Sequence, residues 1–184
     1  MAKDIWTDRN VQLRAPRPSD IEVHLGLPYS REIHTMYGGD PEVPPTPSRE
    51  RSEGWYAWLC DHPFARVIEV EGRVAGEIRL HSHDPETRSA RLAVGLFAEA
   101  DLGRGYGRCA IQQTLSSGFD LLRLEAIDLR VLAFNTRAIR CYTACGFETV
   151  ARLPRSLKLG DVWHDDLLME ITAARFHALL AQAT

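Results

Sequence analysis

The stretch LGRGYGRCA, residues 102–110, places glycine at three alternate positions, Gly103, Gly105 and Gly107, immediately before a run that reads as a helix. Glycine loses more backbone freedom on folding than any other residue, so three in a row of alternate sites require a reason. A strand, a glycine-rich turn and a helix together make a phosphate cradle. The first helical turn leaves backbone N–H groups without partners, and the helix dipole adds partial positive charge there. Arg104 and Arg108 add formal charge. The plainer alternative is a tight strand-to-helix turn with no ligand.

The chain around this turn reads as a mixed α/β protein. VQLRAP (11–16) alternates as a strand, and PRPSD then caps a helix beginning near Ile21. GGDPEVPPTP (38–47), with four prolines, is expected to be a loop without regular structure. The following helix carries Trp55, Trp58 and Leu59 on one face. FARVIEV and RVAGEIRLHS read as a hairpin turning at Glu71-Gly72, and SARLAVGLF (89–97) as the next strand. Ile111, Leu115, Phe119 and Leu122 mark the helix after the glycines. EAIDLRVLA is a half-buried strand, and Asn135 caps a helix that stops at Gly146. ETVARLP and VWHDDLLMEI pair around Leu159-Gly160-Asp161, and TAARFHALLAQA closes as a helix.

Composition removes several classes of function. At 184 residues the chain is expected to be one domain, 1–184, and 45% hydrophobic residues provide for a real core. A net charge of −3 argues against nucleic acid as a partner. No stretch approaches the roughly 20 apolar residues that span a membrane, and MAKDIWTDRN has no secretory h-region, so a cytoplasmic protein is expected. Cys60, Cys109, Cys141 and Cys145 are not spaced as a zinc site and are expected to be small buried residues. His81, His83 and Asp84 precede a turn and are expected to be exposed, so no metal is predicted. Nucleotide motifs also fail. Gly107 is followed by Arg-Cys-Ala rather than Lys-Ser/Thr, the glycine spacing departs from G-x-G-x-x-G, and the next strand ends Val131-Leu132-Ala133 without an acid.

LGRGYG resembles the R/Q-x-x-G-x-G/A pyrophosphate loop of the GCN5-related N-acetyltransferases (GNAT), with Gly105 and Gly107 at its fixed positions. NTRAIRCYTACGF (135–147) resembles that family's N-x-x-A-x-x-x-Y-x-x-x-G-F motif through Asn135, Ala138, Tyr142, Gly146 and Phe147. The resemblance runs over roughly residues 11–172 and is nearest to the RimJ/RimL type, which acetylates ribosomal-protein N-termini. Leu102 departs from the usual Arg or Gln of the loop, which shifts weight to Arg104 and the backbone.

The resemblance implies a mostly antiparallel sheet, splayed at the cofactor site and flanked by helices, with acetyl-CoA as cosubstrate. Gly95, Leu96 and Phe97 would pair with the pantetheine arm, and Gly103, Arg104, Gly105, Tyr106, Gly107 and Arg108 would take the pyrophosphate. Asn135 would bond the cofactor or order the splayed strands. Tyr142 would protonate or hold the departing thiolate, a role that a phenol can fill. Glu77 is the candidate base, acting directly or through a water, against the plainer reading of a solvated strand-face acid; His164 is a weaker candidate. The loop 38–47, the helix with Trp55 and Trp58, and the hairpin from Asp161 to Asp166 would wall the acceptor, with Asp165 and Asp166 favouring a cationic amine. The acceptor itself, a small-molecule amine or a protein N-terminus, stays open, as does assembly as a homodimer. A non-catalytic acyl-CoA-binding sensor or scaffold of the same fold is the alternative.

Overall fold

A computed structural model describes residues 11–182. The elements run β1 (Val11–Arg14), α1 (Asp20–Leu25), α2 (Arg31–Met36), α3 (Arg49–Asp61), β2 (Ala65–Val70), β3 (Arg73–Asp84), β4 (Ser89–Leu96), α4 (Tyr106–Ser116), β5 (Ala126–Leu132), α5 (Thr136–Ala144), β6 (Glu148–Leu159), β7 (Val162–Thr172) and α6 (Ala173–Gln182). A 3₁₀ turn, Glu99–Asp101, precedes the glycine loop, and α4 runs on into a π-helical turn at Ser117–Leu121. No helix among the described residues is long and apolar enough to cross a membrane.

The seven strands lie in the order β1-β2-β3-β4-β5-β7-β6, and every pairing is antiparallel except β4 with β5. The hairpins follow from turn chemistry. Val70 pairs with Arg73 across Glu71-Gly72, both at positive φ, the conformation that matches the right-handed twist of paired strands. Alternation along β2 sorts the two layers. Ile68 and Val70 face the main core with Ile111, Leu115 and Phe119 of the α4 segment, while Ala65 and Val67 face Leu59 of α3. Val67 pairs with Glu77, and Glu77 with Gly95, so these three share the α3 face of the sheet.

Three readings need correction. The short helix α2 is not read from the sequence because none of its residues is buried and no apolar stripe marks it. It is held from outside: Ser30 caps Ile33 N–H at 3.1 Å, and Arg137 of α5 pairs with Glu32. Cys60 is exposed on α3 and Cys141 is half-buried, so only Cys109 and Cys145 are buried as expected. Near Ile21 the side chain of Ser19 makes no cap. Asp20 instead accepts from Arg17 N–H at 2.7 Å and from both ends of the Arg14 fork at 2.8 Å.

Candidate active site

The parallel pair β4–β5 holds for only three steps, Ser89 with Ala126, Ala90 with Ile127 and Arg91 with Asp128. Beyond the Arg91–Asp128 ion pair, at 2.5 Å, the strands part, and a cleft of about 720 Å³ opens between them. Leu92 to Leu96 line one side and Arg130 to Leu132 the other. Phe97 N–H donates to Ala75 O at 2.9 Å, toward β3, and the carbonyl of Gly95 also faces β3 at Gly76. Backbone groups alternate sides along a strand, so Val94 and Leu96 direct their N–H and C=O into the gap. Of the three expected pantetheine partners, Leu96 is placed for a backbone pairing. Gly95 lines the cleft with its α-carbon, and Phe97 is taken up by β3 and by its ring contacts with His24 and Trp55. Val94 was missed, although the alternation of SARLAVGLF contains it.

The glycine loop enters the cleft from its end. Gly103 (φ 71°) and Gly105 (φ 84°) occupy left-handed backbone, and Gly105 stands at the N-terminus of α4. Gly107 serves differently: a Cβ there meets only Leu96 Cδ1, at 4.0 Å, so its bareness leaves the first helical turn open from the cleft. The N–H groups of Tyr106 and Gly107 belong to that first turn, whose donors the helix itself leaves unpaired. Gly103, Gly105, Gly107 and Arg108 line the cleft, whereas Arg104 turns its Nε to Ala100 O at 2.6 Å and Tyr106 packs on the core. Arg140, on the cleft-facing side of α5, adds a positive charge that the sequence reading passed over.

Helix α5 supplies the phenol. Asn135 lines the cleft and its Oδ1 caps Ala138 N–H at 3.1 Å, which fixes the start of the helix. Tyr142 follows two turns later, also on the cleft, with its ring 6.1 Å from that of Phe147. Burial first, then the neighbouring Cys141 and Cys145, pushes its hydroxyl above the ordinary phenol range. Tyr142 is therefore neutral and carries a proton at physiological pH.

The far wall is built from separate segments. Glu77 is buried rather than solvated: Oε2 accepts from Trp55 Nε1 at 2.5 Å and Oε1 from Arg79 at 3.1 Å. It lies behind the cleft lining, with Arg79 in front and stacked over Trp58 at 4.5 Å. Of the two expected acids, Asp166 lines the cleft, and among the described residues no side-chain hydrogen bond or ion pair engages its carboxylate. Asp165 accepts from Arg152 at 2.7 Å and Arg155 N–H at 2.9 Å, which hold its carboxyl below the ordinary range, the Arg155 amide first and Arg152 second, so it is committed to the hairpin. His164 packs on Phe134, with ring centroids 4.8 Å apart, away from the cleft. Only Gly38 of the 38–47 loop reaches the lining. Tyr37, unmarked in the sequence reading, also lines the cleft from the end of α2. Among the described residues no cluster of three metal-ligating side chains occurs.

The sequence profile of the acetyltransferase (GNAT) domain family matches residues 10–148. The chain belongs to that family. It is an acetyl-CoA-dependent acetyltransferase. The SPbeta prophage-derived uncharacterized N-acetyltransferase YokL of Bacillus subtilis (strain 168) is 24% identical over 178 residues, covering 96% of this chain and 97% of the relative. The GNAT fold is shared with the crystal structure of spermidine N-acetyltransferase from Vibrio cholerae in complex with CoA and spermine. That likeness has a TM-score of 0.76 at 24% identity and covers 91% of this chain and 98% of the other.

Proposed function

We propose that residues 1–184 act as one cytoplasmic domain that transfers acetyl from acetyl-CoA to a primary amine by direct attack. The observation that carries this reading is the parting of β4 from β5 with Tyr142 on the resulting cleft. The cleft suits the donor in three ways. It offers free strand edges at Val94 and Leu96, a helix N-terminus bared by Gly107, and the cations Arg108 and Arg140. Acetyl-CoA supplies an acyl carbon whose leaving group is a thiolate.

The protein's own groups do the rest. The backbone of Val94 and Leu96 aligns the donor's arm and polarises the acyl oxygen. Residues 103–108 hold the pyrophosphate through N–H groups, with Arg108 contributing its charge, while Arg104 and Tyr106 brace the loop. Tyr142, kept neutral by burial, gives its proton to the departing sulfur. Glu77, fixed by Trp55 and Arg79, places negative charge behind the acceptor and takes the amine's proton through an intervening hydroxyl or water. Asp166 attracts a cationic acceptor from the β7 side. The V. cholerae enzyme's complex with spermine supports a small-molecule amine, and the RimJ/RimL resemblance supports a protein N-terminus.

Release of free thiol from acetyl-CoA, followed with polyamines, diamines and peptides bearing free N-termini, tests this reading. Amine-dependent release with an acetylated product is expected. Tight acetyl-CoA binding without transfer to any amine would make the protein an acyl-CoA-binding module instead.

A further inference from the structure

The α3 face of the sheet carries its charges in rows across the strands, because residues paired on neighbouring strands share a face. His81, Arg91, Asp128 and Glu170 form one row, where β4 and β5 part. Two residues further along the strands comes Arg79 with Ala93 and, across the gap, Arg130 with Leu168. The next row is Glu77 with Gly95 and, across the gap, Leu132 with Asp166. Successive rows stand about 6–7 Å apart, the rise of two strand residues.

Most of these charges answer one another. Glu77 holds Arg79 at 3.1 Å, and Arg91 takes both carboxylate oxygens of Asp128, at 2.5 and 3.0 Å. Glu170 stands opposite Asp128, outside the cleft lining. Arg130 and Asp166 both line the cleft, and among the described residues no side-chain hydrogen bond or ion pair engages either. Arg130 is also set apart from the donor's cations. Ile127, Leu129 and Val131 enter the core under α4, so Arg130 leaves β5 on the opposite face. Arg108 and Arg140 stand on α4 and α5, which pack together on the core side. A guanidinium keeps its charge at any working pH, and its planar fork suits a carboxylate through two parallel hydrogen bonds.

We propose that the acceptor is an amine that also carries a carboxylate: Asp166 draws its ammonium end and Arg130 takes its anionic end. The inference names the substrate class of the acetyl-transfer reading above and rests on it. The offset of one row suits charges about 6–7 Å apart, as in 5-aminopentanoate or a peptide N-terminus followed by glutamate. The carboxylate does not react. The products are the N-acetylated acid and the free thiol of CoA. A diamine brings a second ammonium toward Arg130, and that like-charge contact opposes binding.

Two series test it: 5-aminopentanoate, pentylamine and 1,5-diaminopentane, and peptides beginning Ala-Glu, Ala-Gln and Ala-Lys. Whichever series is turned over, wild type is expected to rank anionic above neutral above cationic. The first should exceed the last in kcat/KM by roughly 5–50-fold, between the worth of an exposed ion pair and that of a charge-assisted hydrogen bond. Arg130→Gln should remove most of that ratio, and Arg130→Glu should invert it. Arg130 is exposed, and melting temperatures verify that both variants fold. Calorimetry should give acetyl-CoA affinities near wild type for Arg130→Gln; a tenfold loss would assign Arg130 to the donor and overturn the proposal. Wild-type preference for the cationic member, equal use of all three, or a ratio unmoved by both variants also overturns it while acetyl transfer stands. Absence of transfer to every amine overturns the acetyl-transfer reading and this proposal with it.

Discussion

The two walls of the cleft are made in different ways. On the proposed donor side, the cleft is lined by the strand edge at Val94 and Leu96 and by the helix start at Gly105 and Gly107. On the proposed acceptor side, Tyr37 and Asp166 line it from the end of α2 and from β7, with Glu77 of β3 and Trp55 of α3 bonded to each other behind the lining. Backbone recognition tolerates changes of side chain but not the addition of atoms. Side-chain recognition tolerates neither loss nor displacement. A family can therefore keep one donor and vary its acceptor by exchanging a few distant residues.

Tyr142 is where this contrast is most severely tested, because it stands on the donor side by sequence while its proposed role rests on its hydroxyl. Tyr142→Phe should lower kcat by about 10²–10⁴-fold, the usual range for a general acid, with acetyl-CoA affinity and melting temperature nearly unchanged. Parallel losses of stability and activity would instead make it a core residue. Stopped-flow single turnovers isolate the chemical step for this measurement.

A smaller effect sharpens the backbone half. Gly107 sits inside α4 without positive φ, and its Cβ position is open. Gly107→Ala should weaken acetyl-CoA binding in calorimetry while raising stability by up to about 1 kcal/mol through helix propensity. Retained affinity would show that the phosphates lie elsewhere. The change is cleaner than a valine at Gly105, where φ is 84° and a branched side chain would strain the turn itself.

The smallest effect belongs to the acceptor side. Asp166→Asn should raise KM for cationic acceptors by at most about fivefold, the limit for a solvent-accessible ion pair, and spare acetyl-CoA affinity. The shift should fade at high salt, since exposed charge is screened. An unchanged KM at low salt would leave Asp166 as plain cleft surface.

The donor side was readable from the chain because its parts are local. The Asn135 cap, the Tyr142 spacing and the glycines at 103, 105 and 107 each lie within a few residues of what they organise. The acceptor side was read only in outline. Trp55 lay on a named helix, but its bond to Glu77 joins residues 22 apart, and burial sets this candidate base apart from the plainer reading of a solvated strand-face acid. Helix α2 carried no apolar period to announce it, so Tyr37 at its end passed unnoticed. Asp165 and Asp166 are adjacent in sequence, and only the pleat of β7 separates one on Arg152 from the other on the cleft.

By itself the sequence determined the order of the strands and of every helix but α2, the glycine turn and the capped helix that bears Tyr142. Each depends on backbone conformation and hydrogen bonds spanning a few residues. Tertiary structure alone decided how far β4 and β5 stay paired, which backbone groups face the gap, and which distant side chains line it. Those outcomes depend on strand registry and on side chains from segments tens of residues apart, whose meeting no local pattern encodes.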